Sequence, residues 1–334
     1  MQRGSAWTAL RSPRTRHELA RGATALGWLL ALAMLFFTCT RWFDAGTRHP
    51  VLIAAATAAP VLLLPAWAVL LIAAVGRRIL LTGLALLLCV VQVQVAWPLL
   101  HDTRGLDAAQ RAPSALPIRI MTLNVHYTVD DGAAVSRQVR AVDPDVVVLN
   151  ELSALTLVHL DLSEYPYAYV HPDRSGVGFG VWSRWPVHFE IPPSLRFEPA
   201  HLGYIHPPGR RFALVQVHTR SPVGSDRARI WQNQLRYIPQ LAASAASPVI
   251  VAGDFNASRT SDAFGALLGG PGGFADVADG RGYLTTWPGD IPGVPPLLRL
   301  DHIIVSREFG VRDARVLGPT GSDHRAVLAD LALA

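Results

Sequence analysis

The chain has 334 residues, half of them hydrophobic and only 16% charged, whereas about a quarter of the residues in soluble globular domains are charged. This composition disfavours an entirely soluble chain, and the length is enough for about two domains. The net charge of +5 comes from the first 100 residues, because residues 101–334 hold 21 Arg against 23 acidic residues, a net charge of −2. That balance argues against a domain that grips duplex DNA through a basic face.

Three apolar runs follow a polar, Arg-rich tail that covers residues 1–21. The runs cover residues 22–40, 51–75 and 79–100, and each is about long enough to cross the hydrocarbon core of a bilayer. They predict a three-helix transmembrane anchor over residues 22–100, in which Pro60 and Pro65 kink the second helix rather than break it. A cleavable signal peptide would explain only the first run, and no small-x-small cleavage signature precedes Arg41.

Arginine is concentrated in the N-terminal tail and in the tight turn Gly76-Arg77-Arg78. The positive-inside rule places both of these regions in the cytoplasm. Three crossings then put every residue after Leu100 outside, so we expect a multi-pass protein of the cytoplasmic membrane with an extracytoplasmic C-terminal part. The sequence has no Lys and is rich in Ala, Gly and Pro, a bias that indicates a GC-rich bacterial genome.

Residues 101–116 are polar and predict a linker, and the pattern changes from residue 117 onwards. Short β-type runs then alternate with helical patterns, which predicts an α/β domain. The predicted strands cover residues 118–125, 145–150, 179–183, 212–218, 248–252, 300–305 and 326–331, and the predicted helices cover residues 135–142 and 227–245. Both cysteines, Cys39 and Cys89, lie in the apolar runs, so the α/β domain has no disulfide and no cysteine metal site.

Polar residues cluster at the ends of the predicted strands. They are Asn124, His126, Asn150, Glu151, His218, Asp254, Asn256, Asp301, His302, Ser322, Asp323 and His324. Side chains at strand ends can converge on one rim of a sheet, where binding and catalytic groups lie over a rigid scaffold. The sequence therefore predicts an active site at such a rim.

The motifs LNVHY, DPDVVVLNE, VHT, VIVAGDFNA, RLDHIIVS and SDHRAV occur in this order over residues 117–334. Together they resemble the endonuclease/exonuclease/phosphatase superfamily, and GDFN followed by LDHI and SDH is the most specific part of the match. The resemblance implies an α/β fold in which two β-sheets pack face to face as a sandwich with helices outside. Three membrane spans ahead of a short catalytic domain are similar to the membrane-anchored branch of VanJ-type teicoplanin-resistance proteins.

The resemblance also implies a metal-dependent hydrolase that cleaves phosphate esters or phosphoanhydrides with Mg²⁺ or Mn²⁺. The metal-binding pair of the family corresponds to Asn124 and Glu151, and Asp323 would be a second ligand of the metal or of a water. Mg²⁺ typically binds one or two carboxylates together with water and substrate phosphate. A glutamate with an asparagine carbonyl beside it suits that preference.

Five further residues have catalytic roles by the same resemblance. Asp254 would orient or deprotonate the attacking water, and Asn256 would hold the phosphoryl group and the nucleophile. His324 would pair with Asp301, whose carboxylate fixes the tautomer of the imidazole, and His218 would donate to a non-bridging phosphate oxygen. Whether Asp254 or His324 takes the proton of the water is left open.

Several neighbouring residues are expected to have no catalytic role. Structural or surface positions are expected for His126, His302 and Asn150, and solvated loop positions, with rim contacts to substrate at most, for His171, His201 and His206. Five apolar residues are assigned either to the lipid interface, where Trp is favoured, or to core packing: Trp182, Trp185, Trp287, Leu297 and Leu298.

Three functions fit these features. The first is a phosphatase that acts on a lipid pyrophosphate, such as undecaprenyl pyrophosphate, at the outer face of the membrane, with the phosphorylated lipid and the membrane as partners. The alternative is an extracytoplasmic nuclease or a sphingomyelinase-like lipid phosphodiesterase with the same catalytic residues, although the acidic balance of the domain disfavours nucleic acid. A non-enzymatic membrane sensor is disfavoured because Glu151, Asp254 and His324 are all present.

Overall fold

The computed structural model describes residues 13–42, 49–101, 106–191, 198–245, 248–269 and 273–334. The predicted tail therefore lies partly outside the described residues, and its part from Pro13 onwards belongs to the first helix. The helices of the anchor are α1 (Pro13–Trp42), α2 (Pro50–Thr57), α3 (Ala59–Leu62), α4 (Pro65–Val75) and α5 (Ile79–Leu100).

Among the described residues, two helices of the predicted anchor are long and apolar enough to cross a membrane, and a bent segment is a third candidate. The two helices are α5 and the stretch His17–Thr40 of α1, and the bent segment combines α2 with α3 and α4 at an angle of 73°. The expected kink in the second run is therefore a larger interruption. Pro60 and Pro65 lie in the first turns of α3 and α4, because proline fits the first turn of a helix but not its interior.

A buried glutamine of α5 hydrogen-bonds to the backbone at the interruption of the second apolar run. Gln92 donates through Nε2 to the carbonyl oxygen of Pro60 at 3.2 Å and accepts through Oε1 from Trp67 Nε1 at 2.5 Å. A backbone carbonyl freed inside a membrane must find a partner within the protein. Gln92 supplies that partner, so the interruption is built into the packing of the three helices.

The catalytic part consists of two six-stranded sheets. The strands of the first sheet are β1 (Leu116–Asn124), β2 (Val146–Asn150), β3 (Tyr167–His171), β4 (Phe179–Ser183), β11 (Phe309–Val316) and β12 (Val327–Leu333), and their order is β11-β12-β1-β2-β4-β3. The strands of the second sheet are β5 (Val187–Phe189), β6 (Ala200–Ile205), β7 (Phe212–His218), β8 (Val249–Asp254), β9 (Ala275–Asp276) and β10 (Asp301–Val305), and their order is β5-β6-β7-β8-β10-β9.

The sheets pack face to face, and helices cover their outer faces. The remaining helices are α6 (Ala108–Arg111), α7 (Gly132–Val142), α8 (Ala154–His159), α9 (Ser225–Ser244) and α10 (Asp262–Leu268). Ile120 and Val148 of the first sheet and Leu214 and Ile250 of the second belong to one buried cluster between the sheets. Helix α7 packs on the outside of the first sheet, and α9 and α10 pack on the second. The predicted α/β sandwich with two sheets is confirmed.

Within the part of the chain that the structure describes, the anchor and the catalytic part are in direct contact at two places. The amide groups of Gly280 and Gly282 donate to the carbonyl oxygens of Pro98 and Leu99 at the end of α5, at 3.0 and 2.8 Å. The second contact is α2, where Ile53 belongs to the buried cluster around α9 and Thr260 Oγ1 donates to the carbonyl oxygen of Ala56 at 2.5 Å. Part of the predicted linker is folded as well, since α6 lies within it.

Candidate active site

The strand ends bring all eight predicted site residues to one rim of the sandwich. In the parallel pair β1–β2, Asn124 lies opposite Asn150, which precedes Glu151. In the parallel pair β7–β8, His218 lies opposite Asp254. These four strands end at the same rim, β10 begins there with Asp301 opposite Asp254, and Asp323 and His324 precede β12.

Asn124 links the two central carboxylates. Its Nδ2 donates to Glu151 Oε1 at 2.9 Å and to Asp254 Oδ2 at 3.0 Å. Its Oδ1, the atom that would bind a metal, accepts the backbone amide of His126 at 2.9 Å. In this arrangement Asn124 positions the carboxylates, and its role as a metal ligand stays a prediction.

Glu151 is held in a strained backbone conformation, with φ of +56°, in a region that non-glycine residues rarely occupy. Its Oε2 accepts the backbone amide of Tyr127 at 3.2 Å, and its Oε1 lies 3.5 Å from His218 Nε2. Burial alone would raise the pKa of Glu151, but His218, Asn124 and the Tyr127 amide lower it to about 2. The pKa of His218 is raised against the effect of burial, because Glu151 and Asp254 stabilise the imidazolium.

His324 and Asp301 form a buried dyad. His324 Nδ1 lies 2.7 Å from Asp301 Oδ2, which leaves its Nε2 facing Asp254 Oδ2 at 3.9 Å. Burial would lower the pKa of His324, yet the charges of Asp301 and Asp254 raise it to about 10. This pairing agrees with the predicted partnership of the two residues.

Ser322 and Thr286 hold this dyad in place, and neither was assigned a role from the sequence. The Ser322 hydroxyl donates to the carbonyl oxygen of Asn124 at 2.6 Å and accepts the His324 amide at 3.1 Å. Thr286 Oγ1 accepts the Asp301 amide at 3.3 Å. Ser322 is part of the SDH motif and is recognisable there, whereas Thr286 lies in a loop without a motif.

Asp254 and Asn256 come from the turn that ends β8. Asp254 Oδ1 accepts the Asn256 amide at 2.8 Å, and Asn256 Nδ2 donates to Asp254 Oδ2 at 3.1 Å. Burial raises the pKa of Asp254 to about 6, although His324 acts in the opposite direction. Gly253 has φ of +145°, and a Cβ there would lie 1.9 Å from the Val217 carbonyl oxygen. Only glycine therefore allows β7 and β8 to meet this closely at the site.

The donor set fits a divalent cation. Four carboxylates, from Glu151, Asp254, Asp301 and Asp323, face two imidazoles, so a cation would offset the excess negative charge. Buried Oδ1 atoms of Asp301 and Asp323 have no hydrogen-bond partner among the described residues. The residues that could jointly hold an ion by distance are Asp254, Asp301 and His324, a set that differs from the predicted ligands Glu151, Asn124 and Asp323. That the metal binds on the carboxylate side of the site, around Glu151, stays a prediction.

Six of the eight predicted site residues line a cleft of about 820 Å³. Glu151, His218, Asp254, Asn256, Asp323 and His324 are among the residues that line it. Arg220 and Arg227 also line it and bring positive charge to the cleft. One wall comes from the anchor, since residues of α2, among them Val51 and Ala54, line the same cleft.

His201 does not lie in the solvated loop that was expected for it, whereas the core position of Trp182 is one of the two that were predicted. His201 is a buried residue of β6 rather than a solvated one, with its Nδ1 3.0 Å from Gln216 Oε1 and its ring stacked on Phe179. The sequence did not predict β6 as a strand, because its glycine and histidine weaken the strand signal. Trp182 is in the core of the first sheet, and Trp287 lines the cleft, where its Nε1 donates to Asp323 Oδ2 at 3.3 Å.

His302 and Asn150 have structural contacts, as expected. His302 is fully buried, with Nδ1 2.8 Å from Asp276 Oδ2 and Nε2 2.9 Å from the carbonyl oxygen of Ala257. Asn150 Nδ2 donates to the carbonyl oxygen of Val217 and so ties the two sheets together below the site. Both residues stabilise the rim without lining the cleft.

A family model described as the endonuclease/exonuclease/phosphatase family matches residues 121–324. The chain belongs to this family. The match covers the whole rim, from the strand that carries Asn124 to His324. Enzymes of this family are metal-dependent hydrolases that act on phosphate esters, and the acidic and histidine cluster described above agrees with that chemistry. No curated protein sequence matches the chain.

Solved structures share the fold. An endonuclease/exonuclease/phosphatase from Beutenbergia cavernae is 22% identical over 65% of this chain and 72% of its own, with a TM-score of 0.51. TDP2 from D. rerio, solved with a single-stranded DNA product, is 21% identical over 64% of this chain and 98% of its own, with a TM-score of 0.53. A family protein from Bacteroides thetaiotaomicron is 16% identical over 66% of this chain and 99% of its own, with the same TM-score of 0.53.

Proposed function

We propose that the protein is a membrane-anchored, Mg²⁺-dependent phosphatase that hydrolyses a lipid pyrophosphate, such as undecaprenyl pyrophosphate, at the outer face of the cytoplasmic membrane. The observation that carries this proposal is the wall that α2 contributes to the catalytic cleft. Helix α2 belongs to the second apolar run of the anchor, so the reacting phosphate lies beside a segment that adjoins the membrane. A lipid headgroup can reach such a site while its tail remains in the bilayer.

Each of the site residues has its own role in the proposed reaction. Glu151 would hold the metal, with Asn124 and Asp323 as further ligands, and the bound metal would neutralise charge on the phosphate oxygens. His218 lies 3.5 Å from Glu151 Oε1 and donates to a non-bridging oxygen, where charge builds up in the transition state. Asn256 holds the phosphoryl group next to Asp254.

Hydrolysis breaks one phosphoanhydride bond. A water attacks the terminal phosphorus and gives its proton to Asp254, or to His324 in its neutral form; the two side chains face each other at 3.9 Å. The bridging oxygen leaves with the lipid monophosphate, and inorganic phosphate is the second product. Asp301 keeps His324 oriented through its Nδ1, so that Nε2 points to the reacting groups.

The contacts between anchor and catalytic part support the proposed orientation. Helix α2 and the C-terminal end of α5 both touch the catalytic part. The turn at Arg77 and Arg78 lies at the other end of α5, and a helix of 22 residues is about 33 Å long. The arginine-rich turn and the active site therefore lie about one membrane thickness apart, as the positive-inside rule requires.

A phosphate-release panel tests the proposal. Full-length protein in detergent with Mg²⁺ is expected to release phosphate from undecaprenyl pyrophosphate and to leave sphingomyelin and DNA intact. Glu151→Ala should abolish the release, whereas Glu164→Ala, an exposed glutamate away from the site, should retain it. Cleavage of DNA or sphingomyelin without phosphate release from the lipid pyrophosphate would instead support the alternative of a nuclease or a lipid phosphodiesterase.

The resemblance to VanJ-type proteins bears on the biological role. If the enzyme regenerates a lipid carrier of cell-envelope synthesis, its loss would alter the sensitivity of the cell to glycopeptides such as teicoplanin. Comparing the growth of a deletion strain with that of a strain carrying Asp254→Ala tests this role, because both strains should be equally sensitive. Normal resistance in the Asp254→Ala strain would exclude a catalytic contribution.

A further inference from the structure

A second cavity lies inside the anchor, next to the wall of the catalytic cleft. It has a volume of about 200 Å³, and α1 contributes Leu30, Met34 and Phe37 to its lining. Ala55 and Leu62, from the interrupted segment, line the opposite side. An apolar cavity of roughly 150 Å³ can hold a molecule as large as benzene, so this space is large enough for a short stretch of hydrocarbon.

The cavity offers no polar group to a ligand. Its one polar side chain, Thr38, has its hydroxyl bonded to the carbonyl oxygen of Met34 at 2.8 Å. The catalytic cleft next to it is lined by carboxylates, imidazoles and two arginines. The two spaces therefore differ in chemistry as the tail and the headgroup of a phosphorylated lipid differ.

Helix α2 borders both spaces. Val51 lines the catalytic cleft, and Ala55, one turn further along the same helix, lines the apolar cavity. Residues four apart on a helix are neighbours on its surface, so these two side chains form a continuous apolar strip from one space to the other. Because the side chain of Ala55 is a single methyl group, the strip does not protrude at that position.

The position of α2 is fixed from both sides. Ile53 is buried against the cluster around α9, and the Ala56 carbonyl oxygen accepts from Thr260. On the membrane side, Gln92 donates a hydrogen bond to the carbonyl oxygen of Pro60 at the interruption. The cavity is thus a result of the interrupted second run, since an uninterrupted helix would not turn α2 by 73° towards the catalytic part.

We infer that the cavity between α1 and α2–α4 binds the first part of the hydrocarbon chain of the lipid substrate while its phosphate group occupies the catalytic cleft. This inference rests on the proposed function and assigns the recognition of the tail to the anchor. The catalytic residues then act on phosphate, and the anchor selects which phosphate compound is held in place. A soluble pyrophosphate uses the cleft alone.

Two substrates and three variants of the full-length protein in detergent test this inference. Ala55→Phe and Ala33→Phe fill the cavity from its two sides, whereas Ala74→Phe, on an exposed position of α4, is the matched control. The cavity-filling variants should raise KM for a long polyprenyl pyrophosphate about tenfold, because tail contacts are lost. Turnover of isopentenyl pyrophosphate should stay unchanged in all three variants. Equal loss on both substrates, or no loss on the long one, would overturn the inference.

A binding measurement separates this inference from the proposed function. A polyprenyl phosphate with a photoactivatable diazirine near its headgroup should label residues of α1 and α2–α4 around the cavity in the wild type, and Ala55→Phe should abolish the labelling. This result does not require turnover, so it stands even if the wild type releases no phosphate. Equally strong labelling by the corresponding alcohol would assign the cavity to bulk lipid and overturn the inference, as would labelling only at outward-facing positions of α5.

Discussion

The catalytic role proposed for His324 depends on how its ring is oriented. Asp301 Oδ2 lies 2.7 Å from His324 Nδ1, and a carboxylate in that place fixes the ring and its tautomer. Asp301→Asn should therefore lower kcat about 10²- to 10⁴-fold with little change in KM, as measured by phosphate release. Asp313→Asn, a surface position, is the matched control.

The dyad also predicts non-additive losses. Residues that act as one unit lose most of their effect when either is removed. Adding His324→Gln to Asp301→Asn should therefore lower kcat little further. If the fold-losses in kcat of the two single variants multiplied in the double variant, the two residues would contribute to catalysis independently. That result would contradict a catalytic role for the dyad as one unit.

Most site residues could be predicted from the sequence because each lies at one end of an apolar strand, in a recognisable motif. Asp254 and Asn256 lie in one such motif, and His324 lies in another. Thr286 could not be predicted, since its contact with Asp301 depends on how a long loop returns to β10. The buried position of His201 could be predicted only if β6 were recognised as a strand. Its side chain pairs with Gln216, which lies on the neighbouring strand.

At the scale of elements, the interruption of the second apolar run gives a prediction with a close control. Gln92 is buried and bonded to Pro60 and Trp67, whereas Gln94 is exposed on the same helix. Gln92→Leu leaves both partners unsatisfied and should cost about 1–2 kcal/mol, seen as a lower Tm of the full-length protein in detergent. Gln94→Leu should leave Tm nearly unchanged, and equal effects of the two substitutions would contradict this role of Gln92.

Helix α7 carries a pH-sensitive residue at its N-terminus. Burial raises the pKa of Asp131 from 3.8 to about 7, although Thr320 acts in the opposite direction, and its Oδ1 has no hydrogen-bond partner within the described part of the chain. A raised pKa means that the group favours folding below pH 4 and that this contribution is lost as the pH rises through 7.

Asp131→Asn should therefore stabilise the protein at pH 8 and change little at pH 4.5. The gain at pH 8 is expected to be on the order of 1–2 kcal/mol, measured as the Tm of the full-length protein at both pH values. A gain of equal size at both pH values would exclude the titration of Asp131 as its cause.

The sequence predicted seven of the strands and the two longest helices of the catalytic part, but it missed β3, β5, β6, β9 and the eight-residue β11. Phe179–Ser183 and Phe212–His218 have the predicted bounds, because their apolar runs are fully buried. The strand Ala275–Asp276 has two residues, too few for any periodic signal. The sequence indicated the prolines of the second apolar run, but the size of its bend depends on α9 and Thr260, which are distant in the chain.

At the scale of the whole molecule, the orientation of the anchor decides which substrates can reach the site. In the proposed orientation, three crossings with a cytoplasmic tail would put the catalytic part outside. Alkaline phosphatase, which folds only outside the cytoplasm, should be active when fused after Ala334 and inactive when fused at Arg78. The reverse pattern would place the active site in the cytoplasm and make nucleotides available to it.

The proposed enzyme removes the terminal phosphate of a lipid pyrophosphate, and the products of the reaction show directly whether it does so. Metal-depleted full-length protein supplied with Mg²⁺ and undecaprenyl pyrophosphate should form undecaprenyl monophosphate and inorganic phosphate in equal amounts, and Asp254→Asn should form neither. Formation of the free alcohol with pyrophosphate, or of no product while DNA is cleaved, would contradict the account.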